Sequence, residues 1–544
     1  MVCFKNLAAV LLLTGLFMTD GIAKKNNFIS GYHRTDDEYQ FMTTLVYKDA
    51  DENSKVACAY LWIPPSCKKV RGVLVMNQNV LEQWLAEHDL IRAACSKSNL
   101  AILWCCPGFF VDKGKSTYAE RNVHSLQLIL EDLAKISGYE ELARVPWLPV
   151  GHSMTNNLVR QLINMKPAHI LAAITMKGGP GYGNHMDIPI LSTAGEYFEW
   201  NQPKDDVLNP RAKIPNYLDI IKERKEKQLP LSYFFDPNTG HFDCSETLTK
   251  LVADYIVAAA EARLSANSDT LLNRVDLSSG WVAGLPLPGI SAMKPKPYKK
   301  AKGAERDYPW YFNQDIAVAA SDMANINWSR KSQISVFAFE DGSPAPFTKG
   351  IVWPIPYVTG DDGVTFTLHS SFLKAIPDSF LYAGTKIGHD SAISKIILLC
   401  GSVRPVSENT FRIVPDRSYP ASATYFIVKQ EGDKEYRQCI EPGRFILKPN
   451  EEGEPQQISF DSIPDIKANQ RVFLHSVATS GMPVSLFVKY GPVKIVDNQL
   501  MITKIPLRAK FPIKVSIVAT QWGRSKAPAV KTAMQVERTF LITK

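Results

Sequence analysis

The sequence predicts an α/β unit followed by β-rich accessory domains, and three observations predict it. Between about residues 27 and 266, short apolar runs alternate with stretches of helical periodicity, the order of a sheet covered by helices on both faces. After residue 334, short β-type runs alternate with Gly, Pro and Asp turns. The 544-residue length exceeds the roughly 250–300 residues that one core supports, so several domains share the chain.

The elements follow in order. Residues 1–23 place Lys5 before an apolar run that ends in the small residues Gly21 and Ala23, the pattern of a cleaved export signal. That run is shorter than the roughly 20 residues of a membrane span, and none follows, so a mature chain without a membrane span is expected. In residues 24–266, strands are expected at 57–63, 72–76, 100–104, 147–150, 172–175, 188–193 and 231–235, and helices at 123–136, 154–165 and 246–264. Residues 200–230 read either as a cap over a site or as a solvated crossing helix and loop. Residues 267–333 form a Pro-rich junction in which Trp310 and Tyr311 either stack on a sugar or plug the domain boundary. Residues 334–450 read as one β-rich domain, and 456–544 as a second whose strands have the length and spacing of a sandwich.

Composition narrows the partners. A net charge of +8, spread along the chain without a nucleic-acid motif, fits plain solubility or a leaning towards an anionic partner such as an acidic polysaccharide. Once the signal leaves, Cys58, Cys67, Cys95, Cys105, Cys106, Cys244, Cys400 and Cys439 remain. None has zinc spacing, so buried thiols with one or two disulfides are expected and no metal.

Chemistry concentrates at V-P-W-L-P-V-G-H-S-M-T-N-N, residues 145–157. A strand, a glycine two residues before Ser153 and a following helix are what a serine needs to project above a sheet on a tight turn. Thr155 stands where the G-x-S-x-G pattern has its second glycine. His241, in D-P-N-T-G-H-F-D-C-S after the last strand, is placed to act as the base, while His152 adjoins the serine and is expected to point elsewhere. The acid should follow the strand I-P-I-L-S-T-A-G, where E-Y-F-E-W offers Glu199 first and Glu196 second. The oxyanion donors expected are the Met154 backbone N–H and a group from Gln78 or Asn79, in N-Q-N after the 72–76 strand.

In these elements the chain resembles the α/β-hydrolase superfamily. Through W-I-P-P-S-C-K-K-V-R-G-V-L-V, P-V-G-H-S-M, A-G-E-Y-F-E-W and G-H-F-D-C-S it is similar to the exported carbohydrate esterases of polysaccharide-degrading bacteria, including pectin-methylesterase-type enzymes. The 456–544 unit, through Q-I-S-F-D-S-I-P-D-I, S-G-M-P-V-S-L and I-V-A-T-Q-W-G, resembles their appended immunoglobulin-like modules. The resemblance implies a cofactor-free, periplasmic or extracellular serine esterase that removes a methyl ester from a uronic acid, with an acetyl ester as runner-up. A peptidase, or a non-catalytic glycan binder on the same fold, are the remaining readings.

Overall fold

The structure, a computed structural model, describes residues 39–111, 116–179, 188–196, 217–286, 292–326, 329–348, 350–378, 382–387, 394–467 and 470–544. Its largest sheet has eight strands: β1 (Phe41–Lys48), β2 (Ser54–Trp62), β3 (Gly72–Met76), β4 (Leu100–Cys105), β5 (Trp147–His152), β6 (Ala173–Met176), β7 (Ile190–Gly195) and β8 (Leu231–Asp236). They lie in the order β1-β2-β4-β3-β5-β6-β7-β8. β2 runs antiparallel to both of its neighbours, and every pair from β4 to β8 is parallel. This is the α/β-hydrolase arrangement.

β3 to β8 are buried along their whole length because helices cover both faces, which is why they read as continuous apolar runs. Alternate residues feed two cores. Val73, Val75 and Leu103 face α3 (Ser116–Ser137) and α4 (Asn156–Met165), where Leu126, Leu130, Leu158 and Leu162 are buried. Leu74, Met76 and Ile102 face α1 (Val80–Glu87), α2 (Asp89–Ser98) and α6 (Glu246–Arg263), through Leu81, Ile91, Leu248 and Ile256. Each such side chain contributes roughly 1.5–3 kcal/mol on burial. A helix α5 (Tyr217–Lys227) lies in the 200–230 stretch read as cap or crossing segment; residues 200–216 of that stretch fall outside the described part.

The described part of the 267–333 junction is folded. Trp310 and Tyr311 are buried, with the Tyr311 hydroxyl donating to Tyr233 O at 2.8 Å and the Trp310 indole N–H to Leu277 O at 3.0 Å, so they offer no stacking face. Helix α7 (Gln314–Asn325) then packs against α6 and β8.

In the β-rich part, a five-stranded sheet includes Ile351–Val352, Cys439–Phe445, Thr424–Gln430 and Ser394–Cys400. One face carries Phe426 and Phe445 into a core with Phe337, Phe366 and Phe411. The other carries Leu399, Tyr425, Ile427 and Ile440 into the same cluster as α1 and α6. Farther on, Ile513–Thr520 pairs with Val536–Thr543 and Ser485–Tyr490, and Arg508 of this region ion-pairs with Glu141 at 3.0 Å.

The disulfides expected from sequence do not form: all eight described cysteines are free, and seven are buried. Burial pushes up the thiols of Cys58, Cys67, Cys95, Cys105, Cys106 and Cys244, that of Cys67 to about 11. Among the described residues no helix is long and apolar enough to cross a membrane.

Candidate active site

Ser153 follows β5 in the left-handed conformation, φ +55°, at the head of a single 3-10 turn that leads into α4. A non-glycine residue is held there only when its surroundings over-determine it. Two contacts do so. A Cβ on Gly151 would lie 2.7 Å from the Thr155 backbone carbonyl, so glycine alone lets the turn close this tightly. The His152 N–H donates to Glu82 Oε1 at 2.9 Å, and the Thr155 hydroxyl donates to the same oxygen. Thr155, which departs from the sequence pattern, therefore ties the turn to α1. Glu82 is fully buried, and burial lifts its carboxyl to about 8, so it is predominantly protonated at neutral pH.

His241 arrives on the loop between β8 and α6. Its Nε2 lies 2.9 Å from Ser153 Oγ, the distance of a nucleophile hydrogen-bonded to a base. His152 is not part of that pair. Its Nε2 donates to the His241 carbonyl at 2.8 Å, and burial holds its ring well below the usual histidine range, so it stays neutral and props the loop. The rings of Phe242 and His241 meet edge to face, 4.6 Å between centroids, which closes the other side.

The same loop is fixed by a buried lysine that sequence reasoning missed. Lys177, at the end of β6, donates from Nζ to Asp243 Oδ1 at 2.9 Å, to Asp243 O at 2.6 Å and to Thr239 Oγ1 at 3.0 Å, and stands 3.4 Å from Asp236. Asp243 in turn accepts the Gly240 N–H, and Asp236 accepts the N–H and hydroxyl of Ser245, the cap of α6. Burial raises the Asp243 carboxyl while Lys177 pulls it down. The available signals were Asp243, two residues past the histidine, and a lone lysine ending an apolar strand at T-M-K-G-G.

The turn after β7 comes against this loop. A Cβ on Gly195 would lie 2.6 Å from Gly240 O, and the Glu196 N–H donates to Thr239 O at 2.8 Å. Of the two acids expected here, Glu199 lies in residues 197–216, outside the described part. Glu196 is described, and its side chain is fully buried. Its Oε1 accepts from Arg437 at 2.6 Å and its Oε2 from the Asn238 N–H at 2.6 Å. That carboxylate holds the β-rich domain to the histidine loop.

At the oxyanion loop, sequence left open whether amide side chains contribute. Both are committed elsewhere. Asn79 caps α1, accepting from the Val80 N–H, and donates to His152 O at 2.7 Å. The Gln78 side chain accepts the Gly108 N–H at 3.2 Å and donates to Ala421 O of the β-rich domain. Met154 sits in the first turn after Ser153, where helix N–H groups lack an internal partner, and its side chain is exposed.

The strand order and the serine turn define the described residues between 39 and 266 as an α/β-hydrolase fold carrying a Ser–His pair at the C-terminal edge of its sheet. No family model and no curated protein matches the chain. Among solved structures it is similar to an esterase domain of a Rhodothermus marinus protein (14% identity, 41% of this chain and 100% of that one, TM-score 0.26). An S-formylglutathione hydrolase from Agrobacterium tumefaciens aligns at 13% identity over 43% of this chain and 98% of that one, TM-score 0.29. A CIB-like hydrolase from Thermoplasma acidophilum aligns at 13% over 40% and 99%, TM-score 0.25.

Proposed function

We propose that this chain is an exported serine esterase that removes methyl esters from uronic acids in plant polysaccharide. One observation carries the serine-hydrolase part: Ser153, strained at φ +55°, with its Oγ 2.9 Å from His241 Nε2. In the proposed reaction, His241 takes the hydroxyl proton as Ser153 Oγ attacks the ester carbonyl. The N–H groups of Met154 and of Gln78 or Asn79 receive the developing oxyanion. Collapse breaks the carbonyl–alkoxy bond, His241 returns the proton to the departing methanol, and a water deprotonated by His241 then releases the acid from Ser153. Glu199 is the proposed partner that orients the imidazole, because Glu196 is engaged by Arg437 and Asn238.

The substrate class rests on the sequence motifs around the serine, acid and histidine and on the positive net charge. Export rests on residues 1–23. The immunoglobulin-like sandwich at 456–544 is proposed on the three phrases quoted for it. Methanol and acetate release from esterified pectin and acetylated xylan, by the full chain and by Ser153→Ala, tests the reading. Methanol release lost on substitution is expected. Serine-dependent acetate without methanol would replace the methyl ester with an acetyl ester, and activity surviving the substitution would remove Ser153 from the mechanism.

A further inference from the structure

The face of the β-rich domain that meets the histidine loop continues past it. Tyr425 is buried, its ring 6.4 Å from Phe242, the residue packed on His241. Beside it on the neighbouring strand stands Arg444, whose Nη1 donates to the Tyr425 hydroxyl at 2.7 Å. The guanidinium carbon lies over the indole of Trp353, 3.3 Å from the ring centroid. Trp353 is 53% exposed.

Two features of this row call for a ligand. Trp353 offers the exposed half of its indole as a stacking face next to the Arg444 guanidinium. Arg444 meets no carboxylate among the described residues, and its Nε is buried with no hydrogen-bond partner. The indole of Trp353 beneath it and the bond to Tyr425 hold the guanidinium in place, which fixes its fork of donors in advance of any partner. A planar fork of that kind matches a carboxylate.

We propose that Arg444, Trp353 and Tyr425 form a subsite for a free uronate of an acidic saccharide, its ring laid on Trp353 and its carboxylate on Arg444. This deepens the esterase reading and rests on it: the enzyme would grip an unesterified uronic acid beside the unit it hydrolyses. A neutral glycan or a lone apolar group would leave the guanidinium fork unmet.

The test is calorimetric titration of the full chain carrying Ser153→Ala with the trimer of galacturonic acid and, separately, with the uncharged trimer of galactose. Binding of the acidic trimer is expected, with an affinity that falls as salt is raised. Arg444→Gln and Trp353→Ala should each weaken it by about tenfold or more. Trp353 is half exposed, so its variant reports on the subsite even if Arg444→Gln lowers the melting temperature. Equal affinity for the two trimers, no heat with the acidic one, or unweakened binding in both variants would overturn the subsite. If the acidic trimer fails to bind while the unsubstituted chain still releases methanol, the subsite alone falls. If binding depends on Arg444 but neither methanol nor acetate is released, the esterase reading falls and the site is one of uronate binding alone.

Discussion

Replacing Lys177 by Met should cost both stability and turnover, with a pH signature. The side chains of Lys177, Asp236 and Asp243 are fully buried, and the lysine is the cation that balances the two carboxylates. Removing one partner from a buried pair costs about 3–5 kcal/mol, a large share of the roughly 5–15 kcal/mol that a domain has. The penalty depends on ionisation. Burial already raises Asp243, and losing Lys177 removes the pull that opposes it. A carboxyl whose folded pKa lies above its unfolded one contributes its stability below the unfolded value and loses it as pH rises through the folded value. The gap between variant and parent should therefore widen from about pH 5 to about pH 8. Turnover should fall by about a hundredfold, because Thr239 and Asp243, which Nζ holds, flank His241, and small misplacements of a catalytic group are costly. Urea unfolding followed by tryptophan fluorescence at both pH values, with kcat for methanol release, measures each effect. Adding Asp243→Asn should recover stability without recovering kcat. An unfolding midpoint equal to the parent's near pH 8, with kcat within about threefold, would refute the reasoning.

Two further outcomes are expected. Arg437→Gln strands the buried Glu196 carboxylate and should destabilise by about 3 kcal/mol, while the pair Arg437→Gln with Glu196→Gln loses less; a double-mutant cycle giving a coupling below about 0.5 kcal/mol would contradict it. Glu82→Gln keeps acceptors for His152 and Thr155 but cannot ionise. Because the Glu82 carboxyl is raised to about 8, its contribution is present in acid and lost as pH climbs through that value, so the variant should melt with the parent near pH 5 and above it near pH 9; parallel melting curves at both would count against a protonated Glu82.

Most of the eight-stranded sheet was legible because strands buried on both faces carry uninterrupted apolar runs; the 72–76 strand matches β3 residue for residue. β1 went unread: the adjacent Thr43 and Thr44 interrupt its apolar residues, and only tertiary pairing with β2 makes F-M-T-T-L-V-Y-K a strand. α1 and α2 were missed because each is short and His88 separates them. The helix expected at 154–165 begins as a 3-10 turn, since Ser153 must leave the strand at positive φ before regular bonding starts. Ser153 and His241 could be found because their motifs are local in sequence. Lys177, Glu82 and Arg437 could not, because what makes each important is a partner 59 to 241 positions away or a burial that no window shows.

The β-rich domain touches each loop of the site described here: Ala421 at the oxyanion loop, Arg437 at the turn after β7, and Ile440, whose N–H bonds Asn238 O at 3.2 Å, beside the histidine. A hydrolase arranged this way is not a portable cassette. Cutting the chain after the α/β unit would expose Leu399, Tyr425 and Ile427's partners on α1 and α6 and release all three loops together, so the excised unit should be inactive even if it stays folded. Recombination that swapped the downstream domain would have to carry Glu196, Gln78 and Asn238 with it. The working gene unit is at least the first 450 residues.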